Sequence, residues 1–219
     1  MMPGHRLPVV LALAALSVVT GVHLGAQWMG VDRIADPTQP LLMALLAAAL
    51  WFATEAPRTT LVRLTLVALG LSWLGDTAPR FASGDTAFLL MIGFFLLAQV
   101  AYVRAFLPYA ARSVLHVGRI ALAPYVVAVA VLVALCAPGA GALLVPVLVY
   151  GLVLGTMAVL ATGVNPLVWA GGAMFLVSDG LIALGAFSDV EIAHDSFWVM
   201  LTYVVAQVLI VLGVQEPTD

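Results

Sequence analysis

Uninterrupted apolar runs restrict the fold of this chain more than any other sequence feature. Most runs approach the roughly 20 residues that an α-helix needs to cross a hydrocarbon layer of about 30 Å. Strands of a membrane β-barrel would instead alternate apolar and polar residues. The runs here are continuously apolar, so the sequence predicts an all-α, polytopic transmembrane helical bundle.

Eight such runs follow one another, separated by proline, glycine and charged residues. We therefore expect about eight spans in a single transmembrane domain over residues 1–219. The first run exceeds the apolar core of a secretory signal, so we expect it to be retained. The runs are Leu7–Ala26, Pro40–Thr54, Thr59–Gly75, Thr86–Phe106, Val117–Cys136, Ala142–Ala161, Pro166–Phe187 and Ser196–Val214.

Composition excludes several classes of protein. Apolar residues make up 64% of the chain and charged residues 9%, against roughly 25% charged in a soluble domain. The net charge of -3 offers no basic surface for nucleic acid. Cys136 is the single cysteine, and no two histidines have the spacing of a metal-binding helix. We therefore predict no disulfide, no metal site and no cofactor.

Arginine placement predicts the orientation, because basic residues are retained in short cytoplasmic loops. With the N-terminus inside, inner segments carry most of the arginines, so we expect both termini in the cytoplasm. No organelle signal is evident, and we expect the bacterial plasma membrane. Arg6, Arg58, Arg63, Arg104, Arg112 and Arg119 fall inside, and Arg33 and Arg80 fall outside.

Two glycine pairs have the four-residue spacing that allows close approach of helix backbones. They are Gly21 with Gly25 in the first run and Gly151 with Gly155 in the sixth. We expect both pairs to pack against helices of the same chain. A dimerisation face is the alternative, and the oligomeric state stays open.

Asp76 and Asp179 are the strongest functional candidates, because carboxyl groups inside apolar runs are costly and usually face a bundle interior or a wet cavity. A helix rises about 1.5 Å per residue, which places Asp76 roughly 25 Å and Asp179 roughly 20 Å from the inner boundary. Both fall in the outer half of the membrane. The alternatives are a structural hydrogen bond for Asp179 and an interfacial helix end for Asp76.

Other polar side chains are candidates for the same pocket. Hydrogen bonding between helices is the alternative role for each of them. Tyr203 and Gln207 share one face of the last run, Tyr150 lies near the middle of the sixth, Ser72 precedes Asp76 by one turn, and Gln99 and Tyr102 share a face nearer the inner side.

The chain resembles the YhhN-like family of integral membrane proteins at these residues, and the resemblance covers most of its length. The order and spacing of several short motifs carry it. They are Thr38-Gln39-Pro40-Leu41-Leu42-Met43, Trp73-Leu74-Gly75-Asp76, Phe95-Leu96-Leu97-Ala98-Gln99-Val100-Ala101-Tyr102, Arg104-Ala105-Phe106, Tyr150-Gly151, Phe175-Leu176-Val177-Ser178-Asp179 through Ala183-Leu184, Thr202-Tyr203 and Gln207.

Characterised members of that family are lysoplasmalogenases. The resemblance implies a lysophospholipid or related ether-lipid substrate, whose vinyl ether bond is cleaved to a fatty aldehyde and a glycerophospho head group. It implies that Asp76 and Asp179 act as the acid and base. We expect Asp179 to be the acid and Asp76 the base, although exchanged roles fit equally well.

Two positions depart from the family pattern. Gln39 stands where Lys is common, and Gln99 stands where His is common. If those positions bind phosphate or assist proton transfer, we expect slow turnover, an altered substrate or no activity. Arg80, just after Asp76, is a second candidate to bind a lipid phosphate.

Two other functions fit the same residues. The aspartates would serve as a proton or cation relay in a small transporter, although no paired halves are evident. A lipid-binding protein without catalysis is the other alternative, and Gln39 and Gln99 favour it.

Overall fold

The computed structural model describes residues 3–216 and the side chains from Leu7 to Glu216 except that of Arg119. Helix accounts for 88% of residues 3–216, and the same residues contain no β-strand. The all-α prediction is therefore confirmed. The α-helices are α1 (Pro3–Met29), α2 (Asp32–Ala53), α3 (Thr60–Thr77), α4 (Gly84–Phe106), α5 (Val114–Val117), α6 (Arg119–Ala140), α7 (Leu144–Ala161), α8 (Pro166–Phe187) and α9 (Asp195–Gly213).

Short polar residues and glycines set several helix ends. The side chain of Thr59 accepts a hydrogen bond from the backbone N–H of Val62 and caps α3. Asn165 caps α8 in the same way, because short polar side chains satisfy the first N–H groups of a helix. Gly30 and Gly141 have positive φ angles of 65° and 48°, which glycine adopts readily, directly after α1 and α6.

Helix α2 begins earlier than expected. The sequence predicted a start at Pro40, whereas the helix begins at Asp32 and contains Pro37 and Pro40. Each proline removes one backbone N–H from the helix. The carbonyls that lose their partners belong to Arg33 and Asp36, two exposed residues whose surroundings can hydrate the backbone. The prolines therefore do not end the helix.

The helices fall into two compact units. In the described chain, the first unit holds residues 3–105 and 214–216. There α2 packs against both α1 and α3. Its buried face supplies much of the core, with Leu42, Met43, Leu46 and Leu50 at most 1% exposed. In the same unit the ring of Phe95 on α4 lies over Gly75 on α3.

The second unit holds residues 106–213. Helix α8 packs against α6, α7 and α9. Its contact with α9 is close, because a Cβ atom at Gly171 would lie 2.8 Å from the main-chain oxygen of Ala206. The side chain of Asn165 also donates a hydrogen bond of 2.8 Å to the carbonyl of Gly213, which joins the start of α8 to the end of α9.

Seven stretches of the described residues are long and apolar enough to cross a membrane. One of them, Ile120–Ala161, has 42 residues and includes both α7 and nearly all of α6. All eight predicted runs coincide with α-helices of 18 residues or more. The count of eight spans, the single domain and the cytoplasmic termini stay predictions.

The two glycine pairs differ in how closely neighbouring helices pack against them. At Gly155 an added Cβ would lie 2.9 Å from Val129 of α6, which confirms the expected packing for the sixth run. At Gly21 and Gly25 an added Cβ would meet no described atom within 4 Å. The prediction of packing within the chain is wrong for that pair, because the buried face of α1 runs through other residues such as Leu16 and His23.

Candidate functional site

In the first unit, Asp76 lies one residue before the end of α3 and is 6% exposed. Its Oδ1 atom accepts a hydrogen bond of 3.0 Å from the side-chain amide of Gln39 on α2. Ser72, one turn earlier on α3, is fully buried. The structure therefore places the carboxyl group of Asp76 inside the protein and gives it a neutral hydrogen-bond donor.

Arg80 extends this cluster toward the surface. Its guanidinium donates to the Oε1 atom of Gln39 at 2.9 Å and to the main-chain carbonyl of Asp76 at 3.2 Å. It also forms a salt bridge of 3.1 Å with Asp36, whose side chain is 68% exposed. The amide of Gln39 thus links the positive charge of Arg80 to the carboxylate of Asp76.

Asp36 was missed by the sequence reasoning. The predicted start of α2 at Pro40 left both Asp36 and Gln39 outside the helix. With α2 beginning at Asp32, they are three residues apart and lie on neighbouring parts of one helix face. The three-residue spacing between Asp36 and Gln39 was the sequence signal that could have identified Asp36 as part of this cluster.

In the second unit, Asp179 lies on α8 and is 8% exposed. The hydroxyl of Tyr150 on α7 donates a hydrogen bond of 2.5 Å to its Oδ2 atom. The preceding residue, Ser178, donates to the main-chain carbonyl of Val199 on α9 at 3.0 Å. These two bonds orient α8 so that the carboxyl group of Asp179 meets α7.

Two further candidates lie on α9. Tyr203 is 3% exposed, and Gln207, one turn later, is fully buried. The ring of Tyr203 meets that of Phe175 edge-on, with a centroid distance of 5.7 Å. Phe175 lies one turn before Asp179 on α8, so this contact packs α9 beside the segment that carries the carboxyl group.

The remaining candidates, Gln99 and Tyr102, lie on α4 and are fully buried. Neither polar atom of the Gln99 side chain has a hydrogen-bond partner in the described part of the chain. Burying an amide without a partner is costly. Gln99 is therefore the least satisfied of the predicted site residues.

The structure thus brings together two sets of predicted residues. Gln39, Asp76 and Arg80 meet in the first unit, and Tyr150 and Asp179 meet in the second. The pairing of the two aspartates with each other stays a prediction. Among residues 3–216, no group of three or more His, Cys, Asp or Glu side chains is arranged to hold a metal ion.

Long apolar helices with carboxyl groups buried inside them define a multi-pass membrane protein with polar sites within its helical units. The chain belongs to the YhhN family, whose model matches residues 35–214. The match includes both aspartates and all the predicted site residues.

The chain is also similar to two proteins named lysoplasmalogenase, from Mycobacterium bovis and Mycobacterium tuberculosis. Each is 31% identical to it over an alignment that covers 96% of this chain and 80% of the relative. No solved structure matches the chain.

Proposed function

We propose that this protein is a lysoplasmalogenase-like hydrolase, which cleaves the vinyl ether bond of a lysoplasmalogen. The names of the two mycobacterial relatives support the substrate class. The observation that carries the proposal is the burial and hydrogen bonding of Asp76 and Asp179. Each is more than nine-tenths buried in a membrane-spanning helix and accepts a hydrogen bond from a neutral donor.

The reaction needs one acid and one base. The acid adds a proton to the vinyl carbon that does not carry the ether oxygen, and the double bond becomes an oxocarbenium ion. The base takes a proton from water as the water oxygen bonds to the cationic carbon, which forms a hemiacetal. The hemiacetal loses its hydroxyl proton and breaks its bond to the glycerol oxygen, which is protonated. The products are a fatty aldehyde and the glycerophospho head group.

Asp179 acts as the acid and Asp76 as the base in this scheme, and the exchanged assignment fits the same chemistry. Tyr150 holds the Oδ2 atom of Asp179, which orients the rest of that carboxyl group. Gln39 does the same for Asp76 through its Oδ1 atom. Negative charge near the oxocarbenium ion also stabilises it, because preorganised groups act where charge develops.

Polar residues around the two aspartates, including Gln39 and Tyr150, bind the lipid in this proposal. Arg80 binds the phosphate, because a guanidinium recognises phosphate through paired N–H donors. Its side chain is 26% exposed and its partner Asp36 is largely exposed, so a lipid phosphate can reach it. The substrate-binding set is Gln39, Arg80, Gln99, Tyr102, Tyr150, Tyr203 and Gln207.

Aldehyde release from the purified protein tests the proposal. A lysoplasmalogen and its saturated alkyl ether analogue are compared, since the analogue cannot form the oxocarbenium ion by simple protonation. We expect aldehyde from the vinyl ether alone. If no aldehyde is released from lysoplasmalogens with several different head groups, the proposal is overturned and the transport or lipid-binding alternatives are favoured.

Substitution of the two carboxyl groups is the first prediction. Asp76→Asn and Asp179→Asn each lower kcat by about 10² to 10⁴-fold, the usual contribution of a general acid or base. Asp189→Asn in the exposed segment before α9 is the control and leaves kcat unchanged. Near-normal turnover by both buried variants, in folded protein, would contradict the assignment.

A further inference from the structure

The side chain of Gln99 is the least explained polar group in the described chain. Its exposure is 0%, and both Oε1 and Nε2 lack a hydrogen-bond partner. Gln207 on α9 is equally buried but does have an interaction partner. Burial alone therefore does not explain why the side-chain amide of Gln99 lacks hydrogen-bond partners.

An amide in this position is unfavourable for the protein alone. A buried donor or acceptor without a partner bears its full desolvation penalty, whereas an apolar side chain of the same shape bears none. Nearly all buried polar groups in proteins are satisfied by protein or water. A group with both a donor and an acceptor unsatisfied is therefore ready to bind a polar group that enters from outside.

The position of Gln99 points to the ligand's glycerol rather than to its tail. Gln99 lies one helical turn, roughly 6 Å, after Phe95 on α4. The Phe95 ring covers Gly75, where an added Cβ would lie 2.9 Å from the ring. Asp76 is the next residue of α3. Gln99 therefore shares the α4 face through which Phe95 contacts α3, about one turn along α4 from the level of Gly75 and Asp76.

We propose that Gln99 recognises the free glycerol hydroxyl of a lysolipid, an inference that rests on the proposed function. The hydroxyl donates to Oε1 of Gln99, while Nε2 donates to another oxygen of the same glycerol. That hydroxyl distinguishes a lysolipid from a two-chain phospholipid, in which it is esterified and has no hydrogen to donate. Gln99 is then a specificity-determining residue of the site.

The test removes the hydroxyl from the ligand and the amide from the protein in turn. The two ligands are a lysoplasmalogen and its deoxy analogue, in which hydrogen replaces the free hydroxyl without added bulk. For the unaltered protein we expect kcat/KM to be about 10- to 100-fold lower with the deoxy analogue, as for one buried polar group left unpaired. Gln99→Met is expected to turn over both ligands equally.

Gln27→Met on α1, outside the proposed site, is the matched control and keeps the full discrimination. Gln99→Met is expected to fold, and its unfolding temperature without ligand should equal or exceed that of the unaltered protein. If Gln99→Met still discriminates as strongly as the unaltered protein, or if the unaltered protein does not discriminate, the inference is wrong.

A binding measurement separates this inference from the proposed function. Saturated lyso-ether lipid and its deoxy form are added, and the rise in unfolding temperature is compared. We expect a larger rise with the hydroxyl form for the unaltered protein, and equal rises for Gln99→Met. This result together with absent aldehyde release would overturn the proposed hydrolysis alone. Equal rises for the unaltered protein would overturn the role of Gln99 even if aldehyde is released.

Discussion

Hydrogen bonds from neighbouring side chains orient each candidate catalytic group. Tyr150 donates to Asp179, and removing its hydroxyl leaves that carboxyl group without one of its donors. We expect Tyr150→Phe to lower kcat by about 10- to 100-fold. Asp179 becomes charged as it gives up its proton, and hydrogen bonds to charged groups are worth roughly 1.5–3 kcal/mol. Aldehyde release under saturating substrate measures this effect.

Tyr125→Phe is the matched control for that experiment. It removes a tyrosine hydroxyl from the same unit, where Tyr125 accepts a hydrogen bond of 2.6 Å from Trp169. Its kcat should equal that of the unaltered protein. Equal losses for the two variants would mean that Tyr150 acts only through stability.

Arg80 gives a second prediction for single residues. If its guanidinium binds the lipid phosphate, Arg80→Gln raises KM by about tenfold or more and changes kcat less, since binding is lost in the ground and transition states alike. Steady-state rates over a range of lipid concentrations measure both constants. Arg33→Gln, which alters an exposed arginine of α2, should change neither, and a fall in kcat alone for Arg80→Gln would contradict phosphate binding.

Helix packing depends on small residues at particular crossings. At Gly171 on α8 an added methyl group would lie 2.7 Å from Ile210 and 2.8 Å from the carbonyl of Ala206, both on α9. We expect Gly171→Ala to lower stability by about 1–3 kcal/mol, the usual cost of overpacking. Thermal unfolding in detergent measures it.

Gly70→Ala on α3 is the control, because its added methyl would meet no described atom within 4 Å. Its unfolding temperature should stay the same or rise slightly, since alanine favours helix more than glycine does. Equal destabilisation by both substitutions would show that the α8–α9 crossing is not especially tight.

With the N-terminus in the cytoplasm, the number of spans decides on which side of the membrane the later segments lie. If α6 and α7 each cross the membrane, the segment between α8 and α9 faces outward. If Ile120–Ala161 crosses once, that segment faces inward. We expect a membrane-impermeant thiol reagent to label Val190→Cys in intact cells when Cys136 is replaced by alanine. Pro57→Cys, between α2 and α3, should be labelled only after the cells are opened, and the reverse pattern would contradict cytoplasmic termini.

The helices and the two aspartates were predictable from the sequence because hydropathy is a local property. A carboxyl group inside an apolar run is visible without knowledge of its neighbours, as Asp76 and Asp179 show. The early start of α2 was less visible, since Pro37 and Pro40 interrupt the hydrogen-bond pattern without ending the helix.

The sequence by itself determined that the chain forms apolar helices, and it identified the carboxyl groups that the membrane makes costly. Only the tertiary structure decided which groups meet: Gln39 contacts Asp76 across 37 positions of the chain, and Tyr150 contacts Asp179 across 29. It also decided that Gly155 packs closely while Gly21 does not. The physical reason is that hydropathy acts on each segment separately, whereas contacts depend on how helices rotate and pack against one another.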